Sequence, residues 1–309
     1  MVAQQFIEQD LPKQKILTWC WVARSSFYYQ PTTGIRGRKP YALITNKTGQ
    51  IMDNESIVRL VEQLFENPFV DYGYYKTYIH LNRKCNINIS KHVVYRLMKS
   101  HNLLRNQYTK SSKITKRHWV KDLLPNVDVP FTYLEFDMKF LWVAGKNKNV
   151  LVLTVIDVFT RWNISHLIAY SIKYHDVIKL FERIFEHLTI LEKFYVRCDN
   201  GSQFITELLQ KYFINKKVIQ EFTKPATPQQ NSHIESYHSI MESAVCQRFM
   251  FKDLKDVKQT MNDFRNFYNR SAFRFDRIHG GIGFQSPDEF LKTKGIDMKN
   301  NPINQIKIT

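Results

Sequence analysis

The sequence predicts an α/β core behind a helical, strongly basic amino-terminal region, and three observations carry that expectation. From Phe131 onward the apolar pattern turns β-rich and then alternates between strand and helix, which indicates a layered α/β sandwich. Before residue 100 and after residue 230, apolar residues recur at helical spacing. The charge is one-sided: 45 Lys and Arg against 28 Asp and Glu in 309 residues give a net charge of +17. Residues 1–121 hold 20 basic and 7 acidic side chains, whereas residues 122–309 hold 25 and 21.

Taken in order, a short helical or loop segment ends around Trp19 to Tyr29. Gln30 to Gln50 contains Pro31, Gly34, Gly37, Pro40 and Gly49 with four basic residues and no acid, and reads as a flexible basic linker. Asn54 offers an N-cap for a helix over Glu55 to Glu66, in which Ile57, Val58, Val61, Leu64 and Phe65 share a face. After a turn with Asn67, Pro68 and Gly73, a second short helix covers Tyr75 to Leu81. Ser90 then caps a third, striped by Val93, Val94, Leu97 and Met98. Three compact helices with a basic last one suit a helix-turn-helix module.

Phe131 to Val143, Val150 to Asp157 and Ile164 to Tyr170 predict three antiparallel strands, the first two joined by a hairpin at Gly145. A helix over Asp176 to Leu188, a buried strand over Phe194 to Cys198, a helix over Phe204 to Phe213 and a strand over Val218 to Phe222 follow. Pro225 and Pro228 punctuate the loop before a long helix from about Gln230 to Phe249, and a last helix spans Leu254 to Tyr268. Four regions result: 1–50, a helical segment and linker; 51–121, the helix-turn-helix-like region and a basic stretch; 122–250, the α/β core; and 251–309, a helical extension and tail.

Between Arg83 and Lys121 stand eleven basic residues and no carboxylate, a density suited to neutralising phosphates. A polyanion is the expected partner. The most apolar stretch, Val150 to Val158, is interrupted by Asp157 and is far shorter than the ~20 residues that span a bilayer. The first ten residues, which include Glu8 and Asp10, lack the basic start and apolar block of a secretory signal, so a cytoplasmic, nucleoid-associated location is expected. Cys20, Cys85, Cys198 and Cys246 are scattered without a Cys-x-x-Cys pair, which argues against a disulfide framework and a structural zinc site.

Three acids fall where this layout can bring them together. Asp137 lies inside the first strand, among Leu134, Phe136, Phe140 and Leu141, whose apolar character implies burial; a buried carboxylate needs a partner such as Lys139 or an arginine, or a cation. Asp199 follows the fourth strand at a tight turn through Asn200 and Gly201, where ligands of α/β sheets bind. Glu235 sits in the long helix. Asp157 is a tempting fourth acid, read here as structural beside Arg161. His238, three residues after Glu235, has the spacing of di-iron ligands, but such sites need two Glu-x-x-His pairs and the sequence has one.

The segments Phe136-Asp137-Met138-Lys139, Val155-Ile156-Asp157-Val158-Phe159-Thr160-Arg161, Cys198-Asp199-Asn200-Gly201-Ser202-Gln203-Phe204 and Pro228-Gln229-Gln230-Asn231-Ser232-His233-Ile234-Glu235-Ser236 resemble, in order and spacing, the integrase core of insertion-sequence transposases of the OrfB type. Tyr268-Asn269, Arg277, His279, Gly283 and Ser286-Pro287-Asp288-Glu289-Phe290 resemble that family's carboxy-terminal signature. Tyr72-Gly73-Tyr74 and Val94-Tyr95-Arg96-Leu97-Met98 resemble its upstream helix-turn-helix segment. The resemblance covers about residues 20 to 292.

It implies an RNase H-like fold with a mixed five-stranded sheet flanked by helices, and a catalytic Asp-Asp-Glu triad carried by Asp137, Asp199 and Glu235. These would hold two Mg²⁺ ions, for which Mn²⁺ can substitute, and act on phosphodiester bonds without a covalent protein intermediate. Asn200, Asn231 and His238 are expected to stand behind the carboxylates. Candidate DNA contacts are Lys91, Arg96 and Lys99 for sequence reading, Arg105, Lys110, Lys113, Lys116 and Arg117 along phosphates, and Lys139, Lys224 and Arg277 near the core. The family also implies DNA ends and target DNA as partners, an end-joined circular intermediate, a homo-oligomer on DNA, and fusion to an upstream helical reading frame.

The sequence departs from the family at Glu242, where Lys or Arg is common, at Tyr75 and Lys76, where two arginines are common, at Cys198 in place of Ser and at Lys139 in place of Thr. Two other readings stay open: a DNA-binding regulator with a dead core, and a retroviral-type integrase. The latter carries a His-His-Cys-Cys zinc module, whereas only Cys20 and Cys85 precede this core, without paired spacing.

Overall fold

The computed structural model describes residues 6–7, 9, 12–29, 43–105, 127–188, 190, 193–224, 228–270, 277–299 and 301–306. Residues 1–42 form one compact unit and residues 43–309 another. In the first, α1 (Lys13–Trp19) and α2 (Arg24–Phe27) accompany a small cluster in which Ile16 and Leu17 are buried beside Ile7, Cys20, Val22 and Phe27.

The second unit opens with a hairpin, β1 (Leu43–Thr45) paired to β2 (Ile51–Asp53). This corrects the linker reading for 43–50; the remainder, 30–42, lies outside the described residues. Asn46 makes the turn: its Oδ1 accepts from Thr48 N, Thr48 Oγ1 and Gln50 N at 3.0, 2.7 and 2.8 Å, and Gly49 takes the φ of +86° that closes it. Helices α3 (Asn54–Phe65), α4 (Tyr74–Arg83) and α5 (Lys91–Ser100) follow. Asp53, not Asn54, caps α3, accepting from Ser56 N at 2.9 Å, while Ser90 caps α5 as expected. Ile57, Val58 and Val61 of α3, Leu81 of α4 and Val94, Leu97 and Met98 of α5 form the core of this three-helix module.

A five-stranded sheet forms the body of the molecule: β3 (Tyr133–Val143), β4 (Lys148–Asp157), β5 (Asn163–Ala169), β6 (Phe194–Cys198) and β7 (Val218–Phe222), in the order β5-β4-β3-β6-β7. The first three are antiparallel, and β6 and β7 add in parallel on the other side of β3. That topology is RNase H-like. Helices α6 (Tyr174–Phe185) and α7 (Glu207–Asn215) cover one face, where Phe136 meets Phe181 and Phe204 edge-on at 5.0 and 4.9 Å. Phe204 belongs to the turn before α7 rather than to the helix, since its N–H bonds Gly201 O. The other face is covered by α8 (Ser232–Met241) and α9 (Leu254–Asn269), over Leu141, Val143, Val150 and Val152. A short α10 (Pro287–Thr293), with a Ser286–Glu289 capping box, buries Leu291 on the first face.

The continuous helix expected over Gln230 to Phe249 is instead three pieces: a 3₁₀ turn at Pro228–Asn231, α8, and a π-helical turn at Glu242–Cys246. Apolar spacing does not distinguish these windings. The Tyr268-Asn269 motif proves structural, because Asn269 Oδ1 accepts from Asn163 N at 2.8 Å and its Nδ2 donates to Asn163 O at 2.7 Å, fastening α9 to the start of β5. Among the described residues no helix is long and apolar enough to cross a membrane.

Asp157 ends β4 fully buried and accepts from Phe131 N at 3.0 Å, Thr160 N at 2.8 Å and Thr160 Oγ1 at 2.6 Å. Burial raises its carboxyl to about 6 against those bonds, and Arg161 acts on it only through its field. Asp157→Ala leaves these donors without an acceptor in the core and should lower the unfolding free energy by about 3 kcal/mol. Urea denaturation checks this; an unchanged midpoint would remove Asp157 from the structural role.

Candidate active site

Strand β3 alternates its side chains between the two faces, so Glu135, Asp137 and Lys139 all point to the side covered by α8. Asp137 is only partly buried, its side chain 16% exposed, although Leu141 and Val143 further along the same face are buried, and Phe140, on the opposite face, is itself exposed. This corrects the expectation that Phe140 helps bury it. Asp137 Oδ1 accepts from Met138 N at 2.8 Å, and His238 Nδ1 lies 3.5 Å from Oδ2. Its carboxyl is pushed up to about 7, first by burial and then by the charges of Asp199, Glu235 and Glu135.

Asp199 follows the end of β6, exposed, and its Oδ1 accepts from Gly201 N at 3.0 Å. A Cβ on Gly201 would lie 3.1 Å from that oxygen, so the turn is shaped around the carboxylate. Asn200 is turned away, donating Nδ2 to Thr223 O at 2.6 Å and so tying the turn to the end of β7. Glu235 projects, exposed, from the first turn of α8. The charges of Asp199 and Glu235 thus both reach Asp137, though no three His, Cys, Asp or Glu side chains among the described residues form a closed metal-holding group.

His238 is buried behind Asp137, and burial, reinforced by Lys139, draws its imidazole down to about 4. Asn231 is buried, with no hydrogen-bond partner for its Oδ1 among the described residues. Lys139 pairs with Glu242 at 3.0 Å rather than with Asp137, so the departure at 242 is met by the departure at 139. Burial raises the Cys198 thiol to about 12.

Of the expected DNA contacts, Lys91 and Lys99 are exposed on α5 and Arg96 is half-exposed. Arg105 donates Nη1 to Asp71 O at 2.8 Å with its side chain still half-exposed. Lys224 is exposed after β7, its backbone N–H bonded to Gln230 Oε1 at 2.6 Å. Lys110, Lys113, Lys116 and Arg117 lie outside the described residues. Arg277 is a correction: its side chain is 2% exposed and ion-paired to buried Asp71, which also accepts from Ser243 Oγ at 2.7 Å. A partner 206 residues away left no local signal that this arginine faces inward.

The sequence reading also missed Glu135. This carboxylate is fully buried, and its spacing of two from Asp137 on one strand was the available signal.

Residues 128–228 match the family described as Integrase core domain, and residues 216–287 match a second family of the same description. Residues 52–111 match the HTH-like domain. No curated protein matches the sequence. Among solved structures, the HTLV-2 integrase catalytic core domain in complex with magnesium is 13% identical with a TM-score of 0.36, over 47% of this chain and 90% of that one. The catalytic core domain of BIV integrase is 14% identical with a TM-score of 0.39, over 53% and 97%. A chain of the simian T-cell lymphotropic virus intasome in complex with PP2A regulatory subunit B56 gamma is 11% identical with a TM-score of 0.39, over 69% of each.

Residues 128–287 are thus an integrase core, and its order behind an HTH-like domain at 52–111 is that of an OrfB-type insertion-sequence transposase.

The inward placement of Arg277 has a direct consequence. Arg277→Ala leaves Asp71 a buried charge without its main partner and should cost about 3–5 kcal/mol of stability, read by chemical denaturation, whereas Lys99→Ala on the exposed face leaves the midpoint in place. Equal midpoints for the two variants would return Arg277 to the surface.

Proposed function

We propose that this protein is a DNA transposase that cleaves phosphodiester bonds at insertion-sequence ends and transfers the freed 3′-hydroxyl to target DNA. The observation that carries the reading is an integrase core behind an HTH-like domain in which Asp137 of β3, Asp199 after β6 and Glu235 of α8 lie close enough that the last two charges add to burial in raising the Asp137 carboxyl. An arrangement of that kind is unfavourable unless cations offset it. The donor set is all carboxylate oxygen, which suits Mg²⁺, with Mn²⁺ as a substitute. Asp137, Asp199 and Glu235 would hold two such ions, which when bound supply the positive charge that activates an attacking oxygen and stabilises a leaving one at phosphorus.

The remaining chemistry falls to the chain's own groups. Asp199 is presented by a turn whose backbone N–H fixes one oxygen, and its exposed side chain leaves the carboxylate open to a ligand. Lys139, beside Asp137 and a quarter exposed, offers a positive charge at the mouth of the site, with Glu242 holding it there. Exposed Lys91 and Lys99 with Arg96 give α5 a basic surface for DNA, as a helix-turn-helix module requires. Water attacks first, forming a new O–P bond as the bond from phosphorus to the 3′-oxygen breaks and that oxygen leaves as a hydroxyl; the hydroxyl then attacks a second phosphodiester, joining to its phosphorus while the 3′-oxygen bonded there leaves as a hydroxyl in turn. Two ends must meet for this, so the working form is a homo-oligomer on DNA in a cytoplasmic, nucleoid-associated setting, and an upstream helical frame is an expected fusion partner.

Nicking of supercoiled plasmid in Mn²⁺, wild type beside Asp199→Asn, tests the proposal without knowledge of the element ends. Wild type should nick and the variant should lose that activity while binding DNA equally well. Nicking by both would refute the assignment of Asp199; binding without nicking by either would leave a DNA-binding regulator.

A further inference from the structure

Resting on that reading, we propose that Glu135 is a positioning residue for Glu235: a buried carboxylate on β3 that fastens the first turn of α8 and so sets where the third acid of the triad stands. The first amides of a helix need acceptors, and Asn231, the residue at the N-cap, supplies no side-chain bond to them. Glu135 does so from across the core. Its Oε2 accepts from His233 N at 3.1 Å and Ile234 N at 2.8 Å, and its Oε1 accepts from His233 Nδ1 at 2.8 Å. A fully buried carboxylate bonded to two amides at a helix N-terminus is both satisfied and favourably placed in the helix dipole.

The geometry ties this clamp to the site. Glu135 and Asp137 are two residues apart on one face of β3, and Ile234 immediately precedes Glu235, so one strand carries both the first acid and the anchor of the last. Two further contacts hold the approach to the helix: Arg197 of β6 donates Nη1 to Gln230 O at 2.7 Å, and Gln230 Oε1 accepts from Lys224 N at 2.6 Å. At about 100° per residue, Glu235 leaves α8 roughly 200° around from His233. It therefore faces outward while the clamp stays buried beneath it, and Glu135 is not itself a ligand.

Length and charge of the anchor separate a positioning role from simple packing. Glu135→Gln keeps the length: its oxygen can accept the two backbone N–H groups while its amide donates to the Nδ1 of the other His233 tautomer. Glu135→Asp keeps the charge and shortens the reach by one carbon. Mn²⁺ affinity, followed by electron paramagnetic resonance without DNA on protein shown folded by circular dichroism, should weaken about tenfold or more in Glu135→Asp. It should stay within about threefold of wild type in Glu135→Gln, with DNA binding in EDTA unchanged in both. Wild-type affinity in Glu135→Asp, or equal loss in both variants, would overturn the proposal. If Glu135→Asp does not fold, His233→Ala, which releases only the Oε1 contact, takes its place: weakened Mn²⁺ binding supports the clamp and unchanged binding overturns it. Absence of Mn²⁺ binding by wild type, with no nicking, would overturn the transposase reading and this inference together, an outcome distinct from a defect confined to the Glu135 variants.

Discussion

Like charge gathered at one end of a sheet is the constraint from which the rest of this structure follows. Asp137, Asp199 and Glu235 come from a central strand, a post-strand turn and a helix, and each is placed by contacts that oppose their mutual repulsion. Burial first, and then the charges of Asp199, Glu235 and Glu135, raise the Asp137 carboxyl to about 7. The restraining contacts are built into the backbone: Met138 N on Asp137, Gly201 N on Asp199, and the Glu135 clamp beneath α8.

A second set of contacts joins the three-helix module to the core within the unit 43–309. Asp71 lies between Arg277, Arg105 and Ser243, the last in the π turn that continues α8. Arg248 donates Nη1 to Pro68 O and Val70 O at 2.7 and 2.9 Å, and Arg83 of α4 donates to Gly283 O and Phe284 O, both at 3.0 Å. Lys84 and Glu289 form an ion pair across the same boundary. Much of the carboxy-terminal signature, including Arg277 and Asn269, thus serves to hold the elements together rather than to touch DNA.

All five strands were legible in the sequence because each is a β-rich apolar run bounded by turn residues, and Asp199 was legible because its turn chemistry is local. What escaped were relations between distant residues. Apolar periodicity cannot show that the helix after Pro228 changes winding at Ser232 and Glu242, since the three windings bury similar positions. Nor can it show that α8 is capped by Glu135, about a hundred residues earlier, instead of by Asn231. The hairpin at 43–53 was hidden by a Gly- and Lys-bearing turn in which the side chain of Asn46 makes most of the bonds. Arg277 looked like a DNA contact from its charge and its motif; Asp71 reverses that reading.

Thermal melting of wild type and Asp137→Asn, with and without Mg²⁺ at matched ionic strength, tests the repulsion most directly. Asp137's folded value lies above its ordinary 3.8, so its contribution to stability is fully present below that pH and is lost as the pH rises through about 7. Well above pH 7, metal-free Asp137→Asn should melt higher than wild type, and Mg²⁺ should raise the wild-type melting temperature more than that of the variant. A wild type at least as stable as Asp137→Asn without metal, with the same response to Mg²⁺, would contradict the account.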